Sequence, residues 1–165
     1  MYFITQRYKE TDFPDRFIMA HDFERFPELR NNQFEVYYMD SPHKQITEDF
    51  VAKVIKVTDG DTIRVEWTER DFDFPVRLRK IAAPELDQVG GRESKVWLSD
   101  QILGKEVEIL IDPKNRVGKW GRLIGDVISE GRSMSEASLD DRQSTIFGIT
   151  EDGAIPNEEA WFNGT

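Results

Sequence analysis

The most constraining feature is the run "VAKVIKVTDGDTIRVEW", residues 51–67, in which apolar and polar residues alternate on either side of an Asp-Gly-Asp turn. A period of two on both flanks of a tight turn specifies an antiparallel hairpin with one buried face. Ile63, Val65 and Trp67 share that face, and Thr62, Arg64 and Glu66 point the other way. "FPVRLRKI", 74–81, continues the pattern as a third strand. Val76 and Leu78 lie on its inner face, and Arg77 and Arg79 project together from the outer one.

Downstream, "GGRESKVWLSDQILGKEVEIL" reads as a helix followed by a strand. Val96, Trp97, Ile102 and Leu103 form a helical stripe, and Gly104 is a natural stop. "KEVEILI" supplies a fourth strand and "RLIGDVI" a fifth, joined by the basic, turn-rich loop "DPKNRVGKWGR". "SMSEASL" then starts a short helix behind a serine cap. Five strands with a helix between the third and fourth define an α+β fold that is mainly β, a partly open Greek-key barrel of the OB type. Such barrels offer a strand face and loops to nucleic acids or sugars.

The barrel is assigned to residues 46–140, with an aromatic, acidic extension over 1–45 and an acidic tail over 141–165. Within the extension, "FEVYYMD", 34–40, has the β-branched and aromatic content of a strand. Its aromatics suggest an ordered segment that packs on the barrel or forms a homodimer contact. In the tail, Ile146, Phe147, Trp161 and Phe162 are isolated apolar anchors. His21 and His43, lacking a second ligand at useful spacing, read as solvated turn residues.

With 165 residues the chain can bury a real core. It has no cysteine, so a bound metal must be held by oxygen or by the two histidines. No apolar run has the length of a membrane span or a leader, giving the expectation of a cytoplasmic protein without a membrane partner. The net charge of −10 conceals one stretch, residues 74–122, in which Lys and Arg outnumber Asp and Glu. Arg77, Arg79, Lys80, Arg92, Lys95, Lys114, Arg116, Lys119 and Arg122 form this basic block, the only polyanion footprint in the chain.

Residues 51 to about 139 resemble the staphylococcal nuclease (thermonuclease) family. The likeness is carried by "VIKVTDGDTIRV", "VRLRKIAAPEL", the helix leading to "GKEVEI", "GKWGRLIGDV" and "GRSMSEASL", all in the family's order. It implies a Ca2+-dependent nuclease that cleaves phosphodiester bonds of DNA and RNA with little sequence preference. Asp61 would then be a calcium ligand with Thr62 beside it, Arg77 and Arg122 would grip the scissile phosphate, and Glu85 would face the attacking water. Trp120 falls where the family has an aromatic near the bound nucleotide, which leaves base stacking and packing at the barrel rim as alternatives; Lys119 beside it is a candidate substrate-binding residue, and Asp59 is left as a turn former. The family's turn "IDAPE" or "VDTPE" places a second carboxylate ligand at position 82 and a carbonyl ligand at 83. Here Ala82 and Ala83 stand in those positions, and Ala82 has no carboxylate to offer.

A hydrolase inactivated by replacement of aspartate at 82 is the expected reading, because every other signature is intact. The alternatives are a non-catalytic module of the same fold that binds nucleic acid or protein, and an acidic interaction protein whose charged ends dock a basic partner. A nuclease without an export signal also fits a virus-encoded enzyme acting in a host cell.

Overall fold

The computed structural model describes residues 20–147. The expected hairpin is present as β1 (Phe50–Asp59) and β2 (Thr62–Glu66). Then follow β3 (Phe74–Leu78), the short β4 (Ile81–Ala82), β5 (Glu106–Leu110), β6 (Leu123–Ser129), β7 (Arg132–Ser133) and β8 (Thr145–Ile146). The first half of β1 pairs with β5 and the second half with β2, and irregularities in the β1–β2 register let one strand serve both neighbours.

Antiparallel β2–β3 and β5–β6 pairs extend the sheet, and a parallel β3–β6 pair closes it into a mixed five-stranded barrel. The strands expected from sequence as first to fifth are β1, β2, β3, β5 and β6. Alternation accounts for the interior, where Val54, Ile63, Val65, Val76, Leu78, Ile109 and Val127 are fully buried. Thr62 departs from the expected outward face because it is buried at the barrel mouth.

Helix α2 (Gly91–Ile102) packs on β1, and α3 (Met134–Asp140) packs on β6. The side chain of Ser133 caps α3 by accepting from the Glu136 amide. Gly104 adopts φ +81° just beyond α2, as a helix stop requires. The expected apolar stripe of α2 is corrected, since Val96 and Leu103 are exposed and the inner face is Gly91, Ser94, Leu98 and Ile102. Small residues lead that face because the first turn abuts the Glu85 backbone and the β1–β2 turn. No helix among the described residues is long and apolar enough to cross a membrane.

Residues 34–40 are not a strand. Helix α1 (Phe34–Tyr37) is one turn between 3-10 turns at Asn31–Gln33 and Tyr38–Asp40. β-propensity expresses itself only beside a partner strand, and this segment has none. Helical winding instead stacks Phe34 on Tyr38, with ring centroids 5.4 Å apart.

The described part of the extension is tied to the barrel by an ionic cluster. Glu28, Arg70 and Arg116 are all buried. Glu28 accepts from Arg116 Nη1 at 2.8 Å, from the Ile46 amide at 2.9 Å, and from Arg70 Nη2. Arg116 also donates to the carbonyls of Leu29 and Ile46, at 2.7 and 2.8 Å. Arg116, expected in the exposed basic block, is thus removed from it and spent on the interior. The Arg70 and Arg116 guanidinium nitrogens without hydrogen-bond partners lie among rings: Arg70 sits 4.7 Å from the Phe74 centroid and Arg116 4.9 Å from that of Phe34.

Neither histidine is the free turn residue expected. His21 Nε2 lies 2.7 Å from the Phe26 carbonyl and His43 Nε2 2.8 Å from that of Pro27, both half-buried. Burial lowers the His43 pKa. The expectations for residues 1–19 and for Trp161 and Phe162 lie outside the described residues.

Removing the one anion between two buried cations leaves both charges uncompensated. Glu28→Ala is therefore expected to destabilise the fold by about 3–5 kcal/mol, read as a lower urea midpoint.

Candidate functional site

The barrel mouth is assembled by strand register. In β2–β3, Thr62 lies opposite Arg77, which sets Asp61 beside the arginine; the Leu78 amide donates to the Asp61 carbonyl at 2.8 Å. In the parallel β3–β6 pair, Val76 lies opposite Leu123, so Arg122 enters the mouth one residue before it. Two guanidinium groups far apart in sequence thus converge on one carboxylate and its neighbour.

Asp61 is the hub. One carboxylate oxygen, Oδ1, accepts from the Thr62 hydroxyl at 2.9 Å, and that hydroxyl oxygen accepts from Arg122 Nη1 at 3.2 Å. The other, Oδ2, accepts from the Ala83 amide at 2.9 Å and pairs with Arg77 Nη2 at 3.5 Å. Arg77 is further held by its Nη1, which donates to the carbonyls of Leu78 and Ile81 at 3.0 and 2.9 Å. Its guanidinium lies 4.6 Å from the Phe147 ring centroid. Burial lowers the Arg77 pKa, and Asp61 is the main opposing influence.

Gly60 permits this convergence. A Cβ there would lie 1.9 Å from Ser94 Oγ and 2.6 Å from the Ala83 Cβ, so only glycine lets the Asp59–Asp61 turn approach both α2 and residue 83. Asp59 makes the turn as expected, its Oδ1 accepting from the Asp61 amide at 3.0 Å. It is also an electrostatic member of the site. Burial first, then the neighbouring Asp61, raises its pKa from 3.8 to about 6. The "DGD" spacing could have signalled this, since two carboxylates on one turn must share a field.

The remaining residues take different positions. Glu85 is exposed and makes no side-chain hydrogen bond among the described residues, but its charge acts on both Arg77 and Asp59. Trp120 is 65 % exposed, with Lys119 Nζ 5.2 Å from its ring centroid. Arg79 does not join Arg77. Lys80 turns the chain at φ +70°, and Arg79 Nη2 pairs with Asp112 at 3.3 Å.

Ala82 lies in β4, opposite Thr145 of β8, and its carbonyl accepts from the Thr145 hydroxyl at 3.3 Å. This contact between the turn and the C-terminal segment had no signal in the sequence pattern.

The donor set can be tested against a divalent cation. Among the described residues, no group of three or more Asp, Glu, His or Cys side chains could hold one. Both oxygens of Asp61 already accept hydrogen bonds, and it is the amide of Ala83, not its carbonyl, that meets Asp61. The Ala82 side chain is a methyl group and offers no oxygen to a hard cation. As built, the mouth does not fit a tightly held calcium ion.

The raised Asp59 pKa carries a sign. Between pH 3.8 and about 6 the folded chain holds a proton that the unfolded chain has lost. The stabilising contribution is complete below 3.8 and disappears as pH rises through about 6. Asp59→Asn, which keeps an oxygen for the Asp61 amide, should gain stability over the parent as pH climbs through that window. Urea midpoints of the two proteins across the window check it.

No protein-family model matches the chain. Among known proteins, it is 38 % identical over 69 residues to an uncharacterised endonuclease of Haemophilus influenzae, a match covering 42 % of this chain and 38 % of the relative. It is 34 % identical over 79 residues to a micrococcal nuclease of Shigella flexneri, covering 48 % and 42 %. An uncharacterised endonuclease of Escherichia coli O157:H7 gives 34 % identity over 79 residues, covering 48 % of each chain. The matched segment spans less than half the length of each relative. Over roughly half of its own length, the chain is distantly homologous to a micrococcal nuclease and to these endonucleases, in keeping with the staphylococcal nuclease resemblance of its motifs.

Proposed function

We propose that the barrel mouth binds the phosphodiester backbone of DNA or RNA as the site of a nuclease, and that alanine at 82 leaves this chain impaired in hydrolysis. The observation that carries the reading is the convergence of Arg77 and Arg122 on Asp61 and Thr62. Guanidinium groups match the geometry and charge of a phosphate, and backbone contacts of this kind carry no base preference. Homology to nucleases supports the same assignment at the coarse level.

Arg122 keeps donors for substrate, using only Nη1, on Thr62, whereas Arg77 has Nη1 on two carbonyls and Nη2 paired with Asp61, a pairing that an arriving phosphate would have to displace. Charge developing on the phosphoryl oxygens would be met by these two cations. Glu85, exposed beside them, is the candidate to orient or deprotonate a water. Trp120, exposed at the rim with Lys119 over its ring, offers a face for a base. The family's calcium dependence, carried to this chain, would require a second carboxylate at 82, and the residues present do not supply it.

A second reading, a non-catalytic nucleic-acid-binding module, is favoured by the absence, among the described residues, of three Asp, Glu, His or Cys side chains placed to hold a metal ion. Two measurements separate these readings. In a gel shift with a short DNA duplex, Arg77→Ala and Arg122→Ala should each weaken binding by about tenfold or more. Binding that ignores both would transfer the case to an acidic protein with a basic partner. Ala82→Asp should gain calcium-dependent nicking of supercoiled plasmid over the parent. A plasmid left intact at abundant calcium would assign the chain to the binding module.

A further inference from the structure

The loop between β5 and β6 carries Lys119, Trp120 and Arg122, and in this protein it is held from outside the barrel. At its start, Asn31 Nδ2 donates to the carbonyls of Pro113 and Lys114, both at 3.2 Å. In its middle, Arg116 is buried on Glu28, Leu29 and Ile46. At its end, the Phe26 ring lies against Gly121, where a Cβ would fall 2.7 Å from Phe26 Cδ1 and where φ is +81°. Residues 26–31 thus contribute to three consecutive attachments, the middle one shared with Gln45 and Ile46, that reach the residue next to Arg122.

The loop can transmit that hold because it is folded on itself. The Gly118 amide donates to the Arg122 carbonyl at 2.8 Å, the Gly121 amide to that of Gly118 at 3.0 Å, and the Ile124 amide to that of Arg116 at 2.8 Å. A bridge between Val117 and Leu123 completes the unit. Arg116 and Arg122 are therefore opposite sides of one hairpin-like unit, and fixing the first orients the second. From Arg122 the contacts continue to Thr62 and Asp61.

We propose that residues 26–31 form a positioning strap, with Glu28, Asn31 and Phe26 setting the orientation of the 113–122 loop and so of Arg122 at the phosphodiester site. The inference rests on the reading of that site given above, but the hold on the loop is a separate physical claim. None of the three residues touches substrate in this scheme. The strap acts by sparing Arg122 the entropy of being ordered when a phosphate arrives.

The test uses the full chain and two variants of different severity, Glu28→Gln and Asn31→Ala. Asn31 is exposed, so its variant keeps the core intact. Hydrogen exchange gives the first measurement. In both variants the Gly118, Gly121 and Ile124 amides should lose protection, and in Asn31→Ala, which leaves the buried ionic cluster intact, the paired amides of β1 and β2 should keep theirs. Loop amides protected as in the parent overturn the proposal.

The second measurement is the affinity for a fluorescein-labelled single-stranded DNA oligonucleotide. Asn31→Ala should bind about fivefold more weakly, and this loss should vanish in an Arg122→Ala background, because the strap acts through that arginine. A loss of equal size in both backgrounds would show a role unconnected with Arg122 and overturn the proposal. If parent affinity is indifferent to Arg122→Ala, the phosphodiester reading fails instead, and the exchange data alone decide whether the strap orders the loop.

Discussion

Everything at the barrel mouth depends on the parallel pairing of β3 with β6. Without it the sheet would stay open, and Arg122 would sit at the far edge from Arg77. With it, Val76 faces Leu123 and the two arginines share a rim. The pairing needs both strands to present apolar residues inward at matching heights, and Val76, Leu78, Leu123 and Val127 do so, all fully or almost fully buried. Core packing is therefore what fixes the geometry of the charged cluster. The polar contacts refine a placement that burial of the apolar face already enforces.

The extension solves a second problem, the cost of a long basic loop. A loop rich in Lys, Arg, Gly and Asn has little apolar area to hold it in place, so its order must come from elsewhere. Arg116 turns toward the interior and is met there by Glu28, which also accepts from Arg70. Two cations on one anion is an expensive arrangement, made tolerable by carbonyl acceptors and by aromatic faces around the uncovered nitrogens. Its return is specificity of position, since a buried guanidinium with four fixed acceptors admits one loop conformation.

Local patterns were legible where one physical rule dominates. Alternation around "DGD" specified the hairpin, the serine before "MSEASL" specified the cap of α3, and Gly104 specified the end of α2. The motif order also indicated that Asp61, Thr62, Arg77 and Arg122 belong together, as their contacts now show. Legibility ended where tertiary context decides. Residues 34–40 carry strand formers but lie beside no strand, so they wind. Arg116 looks like any surface cation, and only the fold of residues 26–46 around it reveals a buried partner. Nothing in "RQSTIF" announced that Thr145 would pair with Ala82, because pairing across 63 positions leaves no local trace.

Position 82 is best understood through the charges around it. Asp59 and Asp61 stand on one turn with Glu85 in electrostatic reach, and Arg77 and Arg122 oppose them. Burial raises the Asp59 pKa first, and the neighbouring carboxylates of Asp61 and Glu85 push it in the same direction. An aspartate at 82 would add another carboxylate to the same small volume, and a multivalent cation would have to balance it. With alanine there, Asp61 is free to spend its oxygens on Thr62, on the Ala83 amide and on Arg77, so guanidinium takes the role of counterion. An arginine occupied in this way is less available to a phosphate than one facing a metal-bound carboxylate. On the proposed nuclease reading, the methyl group at 82 would weaken hydrolysis twice, by offering no ligand and by leaving Asp61 to compete with the substrate for Arg77.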